Sequence, residues 1–131
     1  MTVLFHPNPG TILLCDYDGF EVPEMVKPRP VLIVSPRSRH NDLFTIVPVS
    51  TTPPTTVLPW HHKIILPTAL SPKWPELEIW IKGDMLNTFA RSKFDRFHAR
   101  LPNGGRKYYD RRISDADLAA VRTGITAFLT S

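Results

Sequence analysis

The sequence predicts a mainly β fold: a small, strongly bent antiparallel sheet or partly open barrel, closed by one C-terminal helix. Three observations carry that expectation. Short apolar runs of strand length recur along the chain, separated by Pro, Gly, Asn and Asp. Clear helical spacing occurs once, at the C-terminal end. The chain has 131 residues, no internal repeat and no linker-like stretch, so one domain over 1–131 with a real hydrophobic core is expected.

The elements follow in order. Thr11–Cys15 (TILLC) comes after Pro9-Gly10 and reads as a strand. Arg29–Ser35 is the second: its run Val31-Leu32-Ile33-Val34 is short, largely β-branched and bounded by Ser35-Pro36. Phe44–Ser50 (FTIVPVS) is the third, and Pro48 inside it predicts a bulge, an edge position or an early end. Lys63–Leu66 is the fourth. Glu78–Asp84 (EIWIKGD) is the fifth, with Ile79 and Ile81 on one face and Trp80 and Lys82 on the other. Phe94–Leu101 and Lys107–Arg111 flank Pro102-Asn103-Gly104-Gly105, a pattern for a hairpin with a longer loop. The helix is expected over Asp115 to Leu129. Ser114 is its N-cap, Asp117 gives an echo of a capping box, and Leu118, Val121, Ile125 and Phe128 or Leu129 form the apolar stripe. Thr51–His62 and Pro67–Glu76 remain as long irregular stretches, of a length that is often functional.

Composition narrows the function. No apolar run approaches the roughly 20 residues needed to span a bilayer. The start, MTVLFHPNPG, has neither a basic segment nor a long apolar one, so no secretory signal is expected. The single cysteine, Cys15, forms no internal disulfide, and no Cys/His spacing suits zinc. A cytoplasmic protein without metal or other cofactor is expected. Charge is unevenly spread. Residues 1–81 carry 6 basic and 7 acidic side chains, residues 82–112 carry 9 and 3, and residues 113–131 carry 1 and 2. The excess positive charge thus lies between Lys82 and Arg112, where it suits a polyanion, by default nucleic acid.

Arg29 is the residue that asks for an explanation. A cation opens an otherwise apolar strand, held between Pro28 and Pro30. Proline fixes its own φ and keeps the preceding residue extended, so Lys27 and Arg29 both sit on stiffened backbone. Lys82 and Asp84, two apart, would share a strand face, with Gly83 between them allowing close backbone approach. Ser50, Thr51 and Thr52 place three hydroxyls at a strand end, suited to phosphate oxygens. These residue types suffice for cleavage of an RNA backbone without a metal. A carboxylate takes the proton of the 2′-OH, Arg29 stabilises the charged phosphorane, and a second group protonates the leaving oxygen. His61-His62 alternate faces in an extended chain and do not share one metal. Trp60, Trp74, Trp80, Tyr108 and Tyr109 are candidate stacking rings, though such rings more often belong to a core.

The blocks GTILLCDYDG, KPRPVLIVSP, TIVPVSTTP and IWIKGDMLNTF, followed by the terminal helix, resemble in order and spacing the MazF/PemK-type toxins of bacterial type II toxin–antitoxin systems. The resemblance runs from about Pro9 to Phe128. It implies an SH3-like, plasmid-maintenance-toxin barrel that forms a homodimer. It implies a metal-independent endoribonuclease cleaving single-stranded RNA through 2′-OH attack and neutralised by a cognate antitoxin. The family's arginine ahead of the strand maps to Arg29, its hydroxyl after the third strand's proline to Ser50, and its Arg-x-Asp pair to Lys82 and Asp84. Arg29, Ser50, Lys82 and Asp84 are therefore the expected catalytic residues, with either Lys82 or Arg29 as the acid. Lys27, Thr51, Thr52, Asn87 and Thr88 are the expected RNA-binding residues, and the Thr51–His62 stretch is expected to border the groove. The chain departs from the family pattern in six places: its first strand lacks the usual tryptophans, its basic stretch Arg96–Arg112 is longer than a minimal member needs, and four residue positions differ. Lys82 stands for arginine, Ser50 for threonine and Asn87 for an arginine before Thr88, and the histidine that some members carry ahead of the arginine is absent, with Pro23-Glu24 near its place. The alternative is a non-catalytic binder on the same fold, directed at a protein target such as a topoisomerase or at nucleic acid.

Overall fold

The computed structural model describes residues 3–16, 28–37 and 42–131. Within them the elements run β1 (Thr11–Cys15), β2 (Arg29–Ile33), β3 (Leu43–Ser50), β4 (His61–Ile65), β5 (Glu78–Lys82) and β6 (Asn87–Ala90). After a 3-10 turn at Arg91–Lys93 come β7 (Phe94–Asp95), β8 (Phe97–Arg100), β9 (Arg106–Tyr109), β10 (Arg111–Arg112) and α1 (Asp115–Leu129). The described strands form one antiparallel sheet in the order β10-β1-β2-β3-β5-β4, with β6 added to β3 and β7 to β1, while β8 and β9 make a separate hairpin. The architecture is a curled, mostly β half-barrel with one C-terminal helix, as the sequence predicts. No helix of the described residues is long and apolar enough to cross a membrane.

The sheet buries both its faces. On one, Leu32, Val47, Val49, Ile64, Ile79 and Ile81 pack against Leu118, Val121 and Ile125 of α1. On the other, Leu13, Cys15, Val31, Ile33, Phe44 and Ile46 pack with Val3 and Phe94. This explains the unbroken apolar run in β2: a strand covered on both sides has no polar face to alternate with. Buried His6 belongs to the second core, its Nε2 2.7 Å from Ser35 Oγ, which also accepts from the Thr45 N–H. The helix begins as expected, with the Ser114 hydroxyl accepting from the Asp117 N–H. The Asp117 carboxylate, however, does not reach back to the Ser114 backbone. It accepts from the Ser114 hydroxyl at 3.1 Å and meets His62 Nε2 of β4 at 2.9 Å, so one side chain fastens the helix to the sheet.

Pro48 corrects the reading of β3. The strand is neither an edge nor shortened; it runs through to Ser50 in the middle of the sheet. The Val34 N–H bonds to Thr45 O, so odd-numbered β3 residues turn their backbone groups to β2 and even-numbered ones away from it. Pro48 thus turns its missing N–H to the far side, where β3 passes from β6 (Ile46↔Asn87) to β5 (Val49↔Ile81). Three positions separate Ile46 from Val49, but six separate Ile81 from Asn87, so three extra residues bulge out beside Pro48. β6 itself is absent from the sequence reading: Asn87–Ala90 is short and largely exposed, with no apolar pattern to mark it.

Candidate active site

The bulge beside Pro48 builds the site. β5 ends at Lys82, and Gly83-Asp84-Met85 turn, with the Met85 N–H donating to Lys82 O at 3.2 Å. Asp84 is therefore in a turn rather than beside Lys82 on one strand face, as the i, i+2 spacing suggested. Gly83 serves packing rather than a ligand. Its N–H donates to Trp60 O at 2.9 Å, and an added Cβ would lie 2.9 Å from that oxygen and 3.3 Å from Ile125. One carboxylate oxygen of half-buried Asp84, Oδ1, is shielded from solvent and has no hydrogen-bond partner. A buried unpaired acceptor is costly and calls for an explanation.

Register places the other residues. The β2–β3 ladder stops at Val31↔Pro48, because Pro30, facing β3, has no N–H to continue it. Carried two residues further, the same register sets Arg29 level with Ser50, which pairs in turn with Trp80, which pairs with Lys63. One step along, Lys82 pairs with His61 and is level with Pro48. By alternation all these side chains leave the sheet on the face opposite α1. The result is a face across β2, β3, β5 and β4 carrying Arg29, Lys82 and Lys63 around the Trp80 ring. Arg29 and Lys63 are exposed, and Ser50, Trp80 and Lys82 half-buried. Trp80, Lys63 and His61 were not expected as a group; only the β4–β5 register reveals it.

The remaining candidates divide. The Ser50 hydroxyl closes a local turn, accepting from the Thr52 N–H at 3.1 Å and donating to Thr52 O at 3.2 Å, and leaves Thr51 and Thr52 exposed beside it. Asn87, opposite Ile46, shares the face of Ser50. Thr88 points to the other side, its hydroxyl 2.9 Å from that of Thr45. Lys27 lies outside the described residues, as do Pro23 and Glu24. Trp60 is structural, edge-on to Phe128 at 5.3 Å. Burial, helped by the charge of Asp16 and opposed by that of Lys93, pushes the Cys15 thiol up to about 12, which removes it as a nucleophile. Among the described residues no group of three or more His, Cys, Asp or Glu is placed to hold a metal ion.

The basic stretch between Lys82 and Arg112 is less uniform than its charge count suggests. Arg91 donates to Leu4 O and pairs with Asp42, and Arg96 grips Asp110 with two bonds of 2.9 and 3.1 Å. Arg111 donates to Ala69 O, and Arg112 to Pro9 O and Asp115. Four cations thus brace the fold. Of the other five, Lys82 is on the face of Arg29, Lys93 is in the 3-10 turn, and Arg100, Arg106 and Lys107 are on the β8–β9 hairpin.

A curled half-barrel with one terminal helix, carrying cations and an unpaired carboxylate at a break in its central strand pairing, defines the class. Within it, residues 8–129 match the family described as PemK-like, MazF-like toxins of type II toxin–antitoxin systems, and the chain belongs to that family. Solved structures share the fold at low identity. An endoribonuclease from a Mycobacterial species, in complex with its cognate antitoxin, is 19% identical with a TM-score of 0.63, over 95% of this chain and 96% of that one. The Mycobacterium tuberculosis toxin MazF-mt6 is 18% identical with a TM-score of 0.61, over 94% and 97%. MazF from Deinococcus radiodurans is 17% identical with a TM-score of 0.59, over 95% and 97%. No match is found among curated protein sequences.

Proposed function

We propose that the chain is an endoribonuclease toxin that cleaves single-stranded RNA by attack of the 2′-OH on the neighbouring phosphate. The observation that carries the reading is the buried, unpaired Asp84 Oδ1 in the turn that follows Lys82, within the bulge beside Pro48. The Asp84 carboxylate takes the 2′-OH proton. The O2′–P bond forms, the P–O5′ bond breaks, and the 5′-oxygen leaves with a proton from Lys82 or Arg29. The products are a 2′,3′-cyclic phosphate and a 5′-OH, and no metal is required by this chemistry. Arg29 neutralises the charge gathering on the phosphorane; its stiffened backbone is the preorganisation such stabilisation needs. Exposed Thr51 and Thr52, with Asn87 and Lys27, hold flanking phosphates, while the Trp80 ring receives a base. A homodimer in the cytoplasm, held inactive by a cognate antitoxin on this face, completes the reading. The solved complexes of related toxins with antitoxins support that partner. The test is an RNA substrate with a single 2′-deoxy nucleotide at the cut position. Cleavage should stop there and continue at other sites. Cleavage that continues at the substituted nucleotide contradicts the mechanism, and RNA left whole by folded, antitoxin-free protein favours the non-catalytic binder.

A further inference from the structure

One edge of the sheet is β4, the last strand in the order β10-β1-β2-β3-β5-β4, and among the described residues no strand pairs with its outer side. Its backbone groups alternate between two directions. The Gly83 N–H donates to Trp60 O and the Leu66 N–H to Leu77 O, so even-numbered residues turn their N–H and C=O to β5. Odd-numbered residues turn theirs outward, and the His61 N–H accordingly donates to Leu58 O at 2.9 Å. Lys63 and Ile65 come next, and their outward N–H and C=O groups bond to no described residue. Pro67, without an N–H, then ends the edge. Two donors and two acceptors at strand spacing are thus left open between a closed turn and a proline. A polypeptide backbone in extended form matches such a row.

The side chains along this edge say what kind of chain it takes. Lys63 and Ile65 stand on the face opposite α1, and both are exposed, Ile65 by 61%. Lys63 makes no ion pair with a described residue. On β5, Lys82 opposite His61 adds a second cation to that face, and Glu78 opposite Ile65 is the one carboxylate of the β4–β5 ladder. The edge is therefore cationic at Lys63 and apolar at Ile65. In an added strand, the residues opposite these two lie two apart on one face, with Cβ atoms about 5 Å from theirs. A carboxylate suits the first place and an apolar side chain the second. A second copy of β4 suits them badly. Paired antiparallel through these two residues, it would set the Lys63 of each copy diagonal to the other at about 7–8 Å, where like charges repel.

We propose that β4 is a docking edge for an extended acidic segment of a partner protein, which adds a strand through the backbone of Lys63 and Ile65 and sets a carboxylate against Lys63. The inference rests on the proposed function only in making that partner the antitoxin, and its test needs no RNA. The probe is a capped synthetic peptide, Thr-Val-Thr-Glu-Thr-Glu-Thr, beside the same peptide with lysine for both glutamates. Each is titrated into the full chain while the backbone amide resonances are followed. The amide signals of Lys63 and Ile65 should move with the acidic peptide, whose affinity should exceed that of the basic one at least about 10-fold. Ile65→Pro removes an outward N–H and leaves the β4–β5 ladder whole. It should keep the urea midpoint and weaken binding of the acidic peptide about 5-fold or more. Lys63→Glu should reverse the preference between the peptides, and it decides the matter if the proline variant folds poorly. Equal binding of the two peptides, or shifts confined to other strands, overturns the proposal. So do shifts of the same two amides that grow with protein concentration in the absence of peptide, which would assign the edge to a second copy. RNA left whole by the parent protein, with the peptide results as expected, would count against the catalytic reading and leave the docking edge standing.

Discussion

Arg29 is the one exposed residue of β2; the four that follow it are buried. Its side chain contributes nothing visible to packing, so its cost and its use separate cleanly. Arg29→Ala should leave stability within about 0.5 kcal/mol of the parent and slow single-turnover RNA cleavage at least about 100-fold. A large loss of stability with cleavage kept would make Arg29 structural. Cys15 behaves in the opposite way. Its thiol is fully buried and raised from 9.0 to about 12. It should resist thiol reagents in the native protein and react once denaturant is added. Because the unfolded thiol ionises first, stability supplied by neutral Cys15 is present below about pH 9 and is lost as pH rises toward 12. The stability advantage of the parent over Cys15→Ala should therefore shrink across that window in denaturant titrations. Both residues stand out in the sequence, Arg29 by its flanking prolines and Cys15 by being the lone cysteine. Their surroundings do not, because Trp80 and Lys63 join Arg29 only through pairings between strands distant in sequence.

At the scale of elements, the central device is the junction of β5, the Trp60 segment and α1. Gly83 and Gly124 both lie against the Trp60 backbone, where an added Cβ would come within 2.9 and 3.1 Å respectively. Gly83→Ala should destabilise by about 1–3 kcal/mol through overpacking. It should also displace the Asp84 turn, so cleavage should fall along with the urea midpoint. An unchanged midpoint would show that the Trp60 segment yields freely. Elements with strong local signals were legible: β1 and α1 fall on their expected residues, and the hairpin flanks the Pro-Asn-Gly-Gly loop. Elements defined by a partner were not. β6 has no apolar pattern of its own, and Pro48 reads equally as a bulge, an edge or an early end until the change of neighbour from β6 to β5 is seen. The i, i+2 argument for Lys82 and Asp84 failed for the same reason: the bulge that follows from Pro48 ends β5 before Asp84.

Across the whole molecule, net positive charge is a poor guide to where an anion binds. The count for residues 82–112 pointed to one basic surface, yet Arg91, Arg96, Arg111 and Arg112 are tied to carbonyls and carboxylates. What remains of that stretch is Lys82 on the face of Arg29, Lys93 in the 3-10 turn, and Arg100, Arg106 and Lys107 on the β8–β9 hairpin. Membership of the family rests on the sequence match over residues 8–129, and the role of each side chain rests on the site. Catalysis by Asp84 is tested by incubating purified, antitoxin-free protein with a long single-stranded RNA in excess EDTA, beside Asp84→Asn at equal folded concentration. The parent should give discrete fragments ending in 2′,3′-cyclic phosphate. The variant should be as stable or more so, and cleave at a rate at least about 100-fold lower. Equal cleavage by the two proteins would contradict the role given to the unpaired carboxylate, and RNA left whole by both would contradict the enzyme.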